Sequence, residues 1–300
     1  MNEEKFVDID GIRTRYFEQG SGEALLLVHG GTFGQSDNID CADNWDLNWD
    51  SFARSFHVYA VDKIGQGFTH NPPEEDYTIE AVVRHAYGFL RAMGIERVSL
   101  VGHSRGGYLV TRLTMQHPEL VKALVVVDSS SASPHLDDNA GLLAVKSEHR
   151  KKLLAGVPEP LLSKESIRWV TQQFSISDDH ITESWLSIRE RVAQQAQNAE
   201  AVKAMKRLEK DLFLPGMLKQ KEETLNWIKE GGLQTPTLLV WGYNDPTAIL
   251  GRGMKLFDLV TSSAPRSQMH IFNRAGHYSY REHPEDFVRV VTDFIAGTSN

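Results

Sequence analysis

The stretch that decides the fold is Val98-Ser99-Leu100-Val101-Gly102-His103-Ser104-Arg105-Gly106-Gly107. An apolar, β-branched strand runs here into the pattern Gly-x-Ser-x-Gly, and helix-forming sequence follows it. A serine hydroxyl is a weak nucleophile unless a base and backbone N–H donors are held beside it. The two flanking glycines remove side chains that would collide where a strand meets a helix at a sharp turn. The stretch therefore predicts that Ser104 is a catalytic nucleophile.

Length, composition and charge set the broad class of the protein. The chain has 300 residues, of which 41% are hydrophobic and 24% are charged, as in ordinary globular proteins. That length predicts one large domain, or a core with an insertion. The net charge of −8 argues against nucleic acid and anionic membrane surfaces as partners. The polar N-terminus and the absence of a long apolar run favour a cytoplasmic protein with no membrane partner.

Short apolar runs alternate with helical patterns, which is typical of an α/β fold with a mostly parallel sheet covered on both faces. The runs that read as strands are Thr14–Phe17, Ala24–Val28, His57–Val61, Val98–Val101, Ala123–Val127, Thr237–Trp241 and Met269–Phe272. Helical patterns cover Ile79–Met93, Gly107–Gln116, Gly253–Val260 and Pro284–Ile295. Because no helix separates the first two strands, we expect them to form an antiparallel hairpin at one edge of the sheet.

The alternation stops at about Ser133 and resumes after Gly232. The intervening stretch is polar, has helical periodicity in three places and lies between two predicted strands. We therefore predict a core formed by residues 1–132 and 234–300, with residues 133–233 inserted as a helical lid.

A nucleophilic serine needs a base, an acid that orients the base, and oxyanion donors. His277 follows the last predicted strand, at the edge where ligands bind to parallel sheets. Asp245 follows the strand before it, so the chain order is nucleophile, acid, base. Asp128, at the end of Ala123–Val127, is the alternative acid. A surface-loop histidine is the ordinary alternative for His277.

The oxyanion donors should be backbone N–H groups. One is expected at Arg105, at the positive end of the helix that follows the nucleophile. The second is expected at Thr32 or Gly31, in the glycine-containing loop after Ala24–Val28. The alternative for this loop is a simple turn.

Together these motifs resemble the α/β-hydrolase family over nearly the whole chain. The matching pieces are Leu27–Gly31, Val61–Gly67, Gly102–Gly106, Val240–Asp245 and Ala275–His277. The resemblance implies an eight-stranded sheet and a Ser104–Asp245–His277 triad that needs no cofactor; no metal-ligand spacing is present among the histidines.

A narrower resemblance is to the meta-cleavage product hydrolases, carried by His29-Gly30-Gly31, by Gly276–Phe287 and by the helical stretch Ile181–Arg189. That family cleaves a carbon–carbon bond in 2-hydroxy-6-oxohexa-2,4-dienoates, the ring-opened products of catechols. The resemblance implies that Arg189 binds the substrate carboxylate, which a guanidinium fits bidentately. The alternative is a solvated arginine paired with Glu183 or Glu190.

The sequence departs from that family at positions that help to line its substrate site. His103 stands where asparagine is usual, Tyr278 stands where tryptophan is usual, and the loop Gln35–Trp49 is longer. His103, Tyr278, Phe33 and Trp45 are candidate substrate contacts, and core packing is the alternative for the aromatic side chains.

Three functional hypotheses follow. The first is a C–C hydrolase acting on a small hydrophobic substrate that has a carbonyl and a carboxylate. The second keeps the triad and acts on an ester, lactone or thioester. The third is a small-molecule receptor that retains a triad. A homodimer is the default oligomeric state.

Overall fold

The computed structural model describes residues 1, 3–35, 38–136, 155–264 and 266–298. At its centre is an eight-stranded sheet with the order β1-β2-β4-β3-β5-β6-β7-β8. The strands are β1 (Lys5–Ile9), β2 (Ile12–Gln19), β3 (Ala24–Val28), β4 (His57–Val61), β5 (Val98–His103), β6 (Val121–Val127), β7 (Thr237–Gly242) and β8 (Ser267–Phe272). β2 is antiparallel to its neighbours β1 and β4, and the remaining pairs are parallel. The predicted fold class is confirmed.

The expected hairpin between Thr14–Phe17 and Ala24–Val28 is wrong. β2 instead forms its hairpin with β1, through a turn at Asp10 and Gly11, and β3 lies between β4 and β5 in the middle of the sheet. β1 was missed because only alternate residues of this edge strand are partly covered. β3 is apolar throughout and almost wholly buried, as suits a parallel strand covered on both faces.

Helices cover both faces of the sheet. They are α1 (Asp46–Ala53), α2 (Ile79–Ala92), α3 (Arg105–Gln116), α4 (Lys164–Gln172), α5 (Glu183–Ala193), α6 (Ala196–Leu208), α7 (Leu214–Lys229), α8 (Leu250–Thr261), α9 (Ser279–Glu282) and α10 (Pro284–Gly297). α2, α3 and α8 bury apolar side chains such as Leu109 and Val260 in one core cluster. α1 and α10 bury Trp49 and Val291 in the cluster on the other face. None of the described helices is long and apolar enough to cross a membrane.

The segment between β6 and β7 carries α4 to α7, with a π-helical turn at Glu209–Phe213 between α6 and α7. α7 packs against α2 and α8, and α5 contacts the 3₁₀ turn Ala42–Trp45. Hydrogen bonds tie the segment to the sheet-bearing part, among them those from Trp185 Nε1 to Asn44 Oδ1 and from Tyr108 Oη to Gln220 Oε1. The part of the predicted lid from 137 to 154 lies outside the described residues, and the lid boundaries stay a prediction.

Candidate active site

Ser104 lies at the turn between β5 and α3 with φ 52° and ψ −119°, a conformation that costs free energy for any residue with a Cβ atom. The two glycines make this turn possible. A Cβ atom on Gly102 would lie 2.3 Å from the Gly106 carbonyl oxygen, and one on Gly106 would lie 2.5 Å from the His29 carbonyl oxygen. Since the Ser104 N–H donates to the Val127 carbonyl at 2.8 Å, the serine is fixed at the carboxyl edge of the sheet.

Three side chains from separate parts of the chain meet at this edge. His277 Nε2 lies 3.1 Å from Ser104 Oγ, and His277 Nδ1 lies 2.7 Å from Asp245 Oδ2. Ser104 follows β5, Asp245 follows β7 and His277 follows β8, so parallel strands deliver all three to one edge. This is the geometry in which a neutral imidazole can take the serine proton while a carboxylate holds the imidazole in position.

Asp245 is held by its own loop. Its Oδ1 accepts from the Thr247 and Ala248 N–H groups at 2.7 and 2.8 Å and from Thr247 Oγ1 at 2.8 Å. Burial favours the protonated acid, but His277 and these donors outweigh it and lower the pKa of Asp245. Burial likewise favours the neutral imidazole, but Asp245 outweighs it and raises the pKa of His277. Sequence reasoning missed Thr247, although Asp-x-Thr is a pattern that favours such local turns.

The alternative acid, Asp128, makes a different set of contacts. Its Oδ1 accepts from the Gly242 N–H at 2.7 Å, and its Oδ2 accepts from Ser279 Oγ at 2.5 Å. Burial, followed by the neighbouring Asp245 carboxylate, raises the pKa of Asp128 well above its ordinary range. Asp128 therefore joins the end of β7 to the loop that follows His277, while Asp245 is the carboxylate bonded to the imidazole.

The segment between β6 and β7 helps to place His277. The His277 N–H donates to the Phe174 carbonyl at 2.7 Å, and a Cβ atom on Gly276 would lie 2.2 Å from that same oxygen. The His277 carbonyl accepts from His103 Nε2 at 2.7 Å, so His103 Nδ1 is the acceptor nitrogen of that ring. Burial, with His277 nearby, lowers the pKa of His103 well below its ordinary value.

The predicted oxyanion donors lie around the nucleophile. Arg105 is the first residue of α3, and Gly31, with φ +74°, lines the cavity next to Ser104. The Thr32 N–H donates to Gln35 Oε1 at 3.0 Å, so the Gln35 amide occupies that donor. The Gly31 N–H is thus the candidate that needs no displacement of Gln35.

A cavity of about 620 Å³ opens above Ser104, between the carboxyl edge of the sheet and α4 and α7. His103 and Tyr278, both predicted substrate contacts, line it. The segment between β6 and β7 contributes Val170, Phe174, Met217, Leu218 and Lys221, and α8 contributes Arg252. A cavity of this size suits a small organic ligand.

Arg189 does not line this cavity, contrary to its predicted role as the carboxylate ligand. It is fully buried, its Nη2 donates to Asn38 Oδ1 at 2.8 Å and to Asp40 Oδ1 at 3.2 Å, and its guanidinium lies 3.9 Å from the centre of the Trp185 ring. Asn38 and Asp40 line the cavity, so Arg189 lies behind them. Neither Glu183 nor Glu190 is its ion-pair partner among the described contacts.

Two predicted aromatic contacts are core residues. Phe33 packs edge-to-face against Tyr77 and Phe213, with ring centres 5.1 and 6.0 Å away. Trp45 is fully buried and packs against Tyr280, with ring centres 4.4 Å apart. Core packing, the ordinary alternative for large aromatic side chains, therefore accounts for both.

Comparison with known proteins settles the family. A sequence model of the alpha/beta hydrolase fold matches residues 23–284. The chain is an α/β-hydrolase. The match begins just before β3 and ends at the first residue of α10.

Several of the proteins to which this α/β-hydrolase is similar have names that describe related hydrolases. It is 28% identical to the 2-hydroxy-6-oxo-6-(2'-aminophenyl)hexa-2,4-dienoic acid hydrolase of Metapseudomonas resinovorans, over 98% of this chain and 91% of that protein. It is also 28% identical to the 2-hydroxymuconate semialdehyde hydrolase of Pseudomonas sp. strain CF600, over 95% and 91%. The crystal structure of a meta-cleavage product hydrolase from Pseudomonas fluorescens IP01 matches with a TM-score of 0.76 and 25% identity, over 99% of this chain and 98% of that one.

The α/β-hydrolase site also contains charged residues to which sequence reasoning gave no role. Asp40 and Lys221 line the cavity, and Lys63 lies behind the loop that follows β3, where its Nζ donates to the Gly31 carbonyl at 2.8 Å. Lys63 belongs to a matched family motif, but nothing in that motif indicates that the side chain turns toward Gly31. Only the packing of β3 beside β4 brings the two together.

Proposed function

We propose that this α/β-hydrolase is a serine hydrolase in which Ser104 is the nucleophile, His277 is the general base and acid, and Asp245 orients His277. The observation that carries the proposal is the continuous chain of contacts from Ser104 Oγ through His277 to Asp245, at 3.1 and 2.7 Å. Because His277 and the hydrogen bonds from its own loop outweigh burial and lower the pKa of Asp245, it is ionised at neutral pH and holds the Nδ1–H tautomer of His277.

In this mechanism Ser104 Oγ adds to a substrate carbonyl carbon while its proton passes to His277 Nε2. The negative charge that forms on the carbonyl oxygen is held by the Arg105 N–H and by the Gly31 or Thr32 N–H, at the positive end of α3. If the Thr32 N–H serves, the Gln35 amide leaves it when the substrate carbonyl enters. His277 then returns the proton to the leaving group.

For the substrate, we propose a meta-cleavage product of the 2-hydroxy-6-oxohexa-2,4-dienoate type, cleaved at a carbon–carbon bond. Two relatives, each matched over 91% of its own length, are named as hydrolases of such a dienoic acid and of 2-hydroxymuconate semialdehyde, and these names support the choice. The dienol first becomes a ketone, and Ser104 then adds to the C6 carbonyl. The C5–C6 bond breaks, its electron pair and a proton end on the C5 fragment, and water frees the acyl group. The products are a 2-hydroxypentadienoate and a carboxylic acid.

The carboxylate of such a substrate needs a cation that lines the cavity, and Arg189 lies behind Asn38 and Asp40 in its wall. Arg105, Lys221 and Arg252 line the cavity and are the candidates. The cavity of about 620 Å³ has room for a dienoate with a C6 substituent. We propose that the inserted helices close over it as a lid, since Phe174 and Leu218 form part of its wall.

Ester, lactone or thioester hydrolysis is the second candidate. It is favoured by the Arg189–Asp40 pair, which leaves the predicted carboxylate ligand neutralised and behind the wall of the cavity. The triad chemistry would be the same, with an alkoxide or thiolate as the leaving group.

A substrate panel distinguishes the two. The protein is incubated with ring-fission dienoates that differ at C6 and, in parallel, with p-nitrophenyl esters, and kcat/KM is compared. The proposal expects decay of the dienoate absorbance with equimolar carboxylic acid, and much slower ester turnover. Fast ester turnover without dienoate decay would establish the second candidate instead.

Cytoplasmic location and a homodimer also belong to the proposal. Cell fractionation and light scattering of the purified protein test them; recovery in a membrane fraction, or a monomer mass, would contradict them.

A further inference from the structure

Lys63 is a buried cation beside the oxyanion loop to which the mechanism above gives no task. It is the second residue after β4 and is only 3% exposed. Its Nζ donates to the Gly31 carbonyl at 2.8 Å. That carbonyl and the Thr32 N–H belong to the same peptide unit, so the ammonium acts on one end of a group whose other end is a candidate oxyanion donor.

The backbone of Lys63 is tied to the same loop. The Lys63 N–H donates to His29 Nε2 at 3.1 Å, so His29 Nδ1 carries the proton and donates to the Gly30 carbonyl at 2.8 Å. Burial lowers the pKa of His29 well below its ordinary value, which keeps the ring in this neutral form. Lys63 and the loop that contains His29, Gly30 and Gly31 are therefore fixed relative to each other, and this helps to fix the distance between Lys63 Nζ and the Gly31 carbonyl.

Several charged groups surround the ammonium. Asp40, on the loop before α1, attracts it, and Arg105, on α3, repels it. The neighbouring imidazole of His103, at the end of β5, is neutral because burial lowers its pKa. Burial has the largest effect and, with Arg105, it lowers the pKa of Lys63 to about 7.

We propose that Lys63 is a positioning residue of the oxyanion hole, whose ammonium fixes and polarises the Gly31–Thr32 peptide so that the loop holds the charge on the tetrahedral intermediate. A charged donor on a peptide carbonyl strengthens the N–H of the same peptide as a donor, and strengthens it most where water is excluded. Lys63 touches neither substrate nor Ser104; it acts through the peptide. The inference rests on the proposed serine mechanism, with the Thr32 N–H as the second oxyanion donor once the Gln35 amide has left it.

A pH dependence follows from this role. The ammonium is needed, so activity should fall as pH rises through the pKa of Lys63, about 7. On the acidic side activity should fall as His277 takes up a proton. An arginine at position 63 would remain charged throughout, because its pKa exceeds about 12.

The test uses diethyl p-nitrophenyl phosphate, which reacts with activated serines whatever their natural substrate. The Ser104 Oγ–P bond forms, the P–O bond to the aryl group breaks, p-nitrophenolate leaves, and the serine proton passes to His277. The phosphoryl oxygen takes the place of the oxyanion. The rate of the stoichiometric p-nitrophenolate release is measured between about pH 5 and 9 for the wild type, Lys63→Met, Lys63→Arg and Ser104→Ala. Lys122→Met is the matched control. Lys122 is a buried lysine paired with Glu23, and it lies at the amino-terminal end of β6, away from the carboxyl edge of the sheet that carries Ser104.

We expect Lys63→Met to react at least about 10-fold more slowly at neutral pH and to lose the alkaline limb, which is the fall in rate as pH rises. Lys63→Arg should also lose this alkaline limb but retain most of the wild-type rate. Lys122→Met should match the wild type. The proposal is overturned if Lys63→Met keeps the wild-type rate, or if a folded Lys63 variant keeps the wild-type alkaline limb. If circular dichroism shows that Lys63→Met does not fold, the pH profiles of p-nitrophenolate release by the wild type and by Lys63→Arg decide whether the proposal holds. If the wild type releases no more p-nitrophenolate than Ser104→Ala does, the serine mechanism itself is overturned, and this role with it.

Discussion

Replacement of Arg189 by methionine should mainly destabilise the fold. Arg189 has no exposed surface and the Asp40 side chain is 5% exposed, so the variant leaves a buried carboxylate without its cation. Breaking such a pair typically costs about 3–5 kcal/mol. Asp40 Oδ1 also accepts a hydrogen bond from Asn44 Nδ2 at 2.6 Å, which remains in the variant. We therefore expect the free energy of unfolding to fall by about 3 kcal/mol, at the lower end of that range. At about 2 °C per kcal/mol for a chain of this size, Tm should fall by about 6 °C.

The matched control is the double variant Asp40→Asn, Arg189→Met, which removes both charges. Urea unfolding of the wild type, both single variants and the double variant forms a double-mutant cycle. We expect the double variant to recover more than half of the lost free energy of unfolding. The ratio of KM values for dienoate and neutral ester should stay the same in Arg189→Met. Unchanged stability together with a KM increase confined to the carboxylate substrate would refute this reasoning and restore Arg189 as a substrate ligand.

Three further predictions concern the triad and the turn at Ser104. Asp245→Asn should lower kcat about 10⁴-fold with little change in KM, because the amide favours the wrong His277 tautomer; a loss under 10-fold in steady-state kinetics would instead favour Asp128 as the acid. Asp245 raises the pKa of His277 above its ordinary 6.5, so kcat/KM should fall as pH drops through that higher value; a pH profile flat down to about pH 5 would contradict His277 as the base. Gly106→Ala should reduce soluble yield and Tm, because its methyl group would lie 2.5 Å from the His29 and Val28 carbonyl oxygens; a wild-type melting curve would contradict this close packing.

The sequence predicts the sheet, and the meeting of Ser104, Asp245 and His277 at its edge, because both depend on local patterns. Buried parallel strands are continuous apolar runs, and the loops after them must meet at one edge. The N-terminal edge was mispredicted because Lys5–Ile9 is an edge strand that exposes Phe6 and Asp8 and mixes polar with apolar residues on both faces. The positions of Arg189, Phe33 and Trp45 could not be read from the sequence, since only tertiary packing decides whether a side chain faces a cavity or the core. Asp40 illustrates this best: it lies in the long loop but pairs with Arg189 from α5.

The most direct test of the central claim is the decay of dienoate absorbance by the wild type and by Ser104→Ala, with both products measured by mass spectrometry. We predict that the wild type forms one 2-hydroxypentadienoate and one carboxylic acid per turnover, and that Ser104→Ala loses at least about 10³-fold in kcat. Equal dienoate turnover by Ser104→Ala, or dienoate left intact by a wild-type protein that hydrolyses esters, would contradict it.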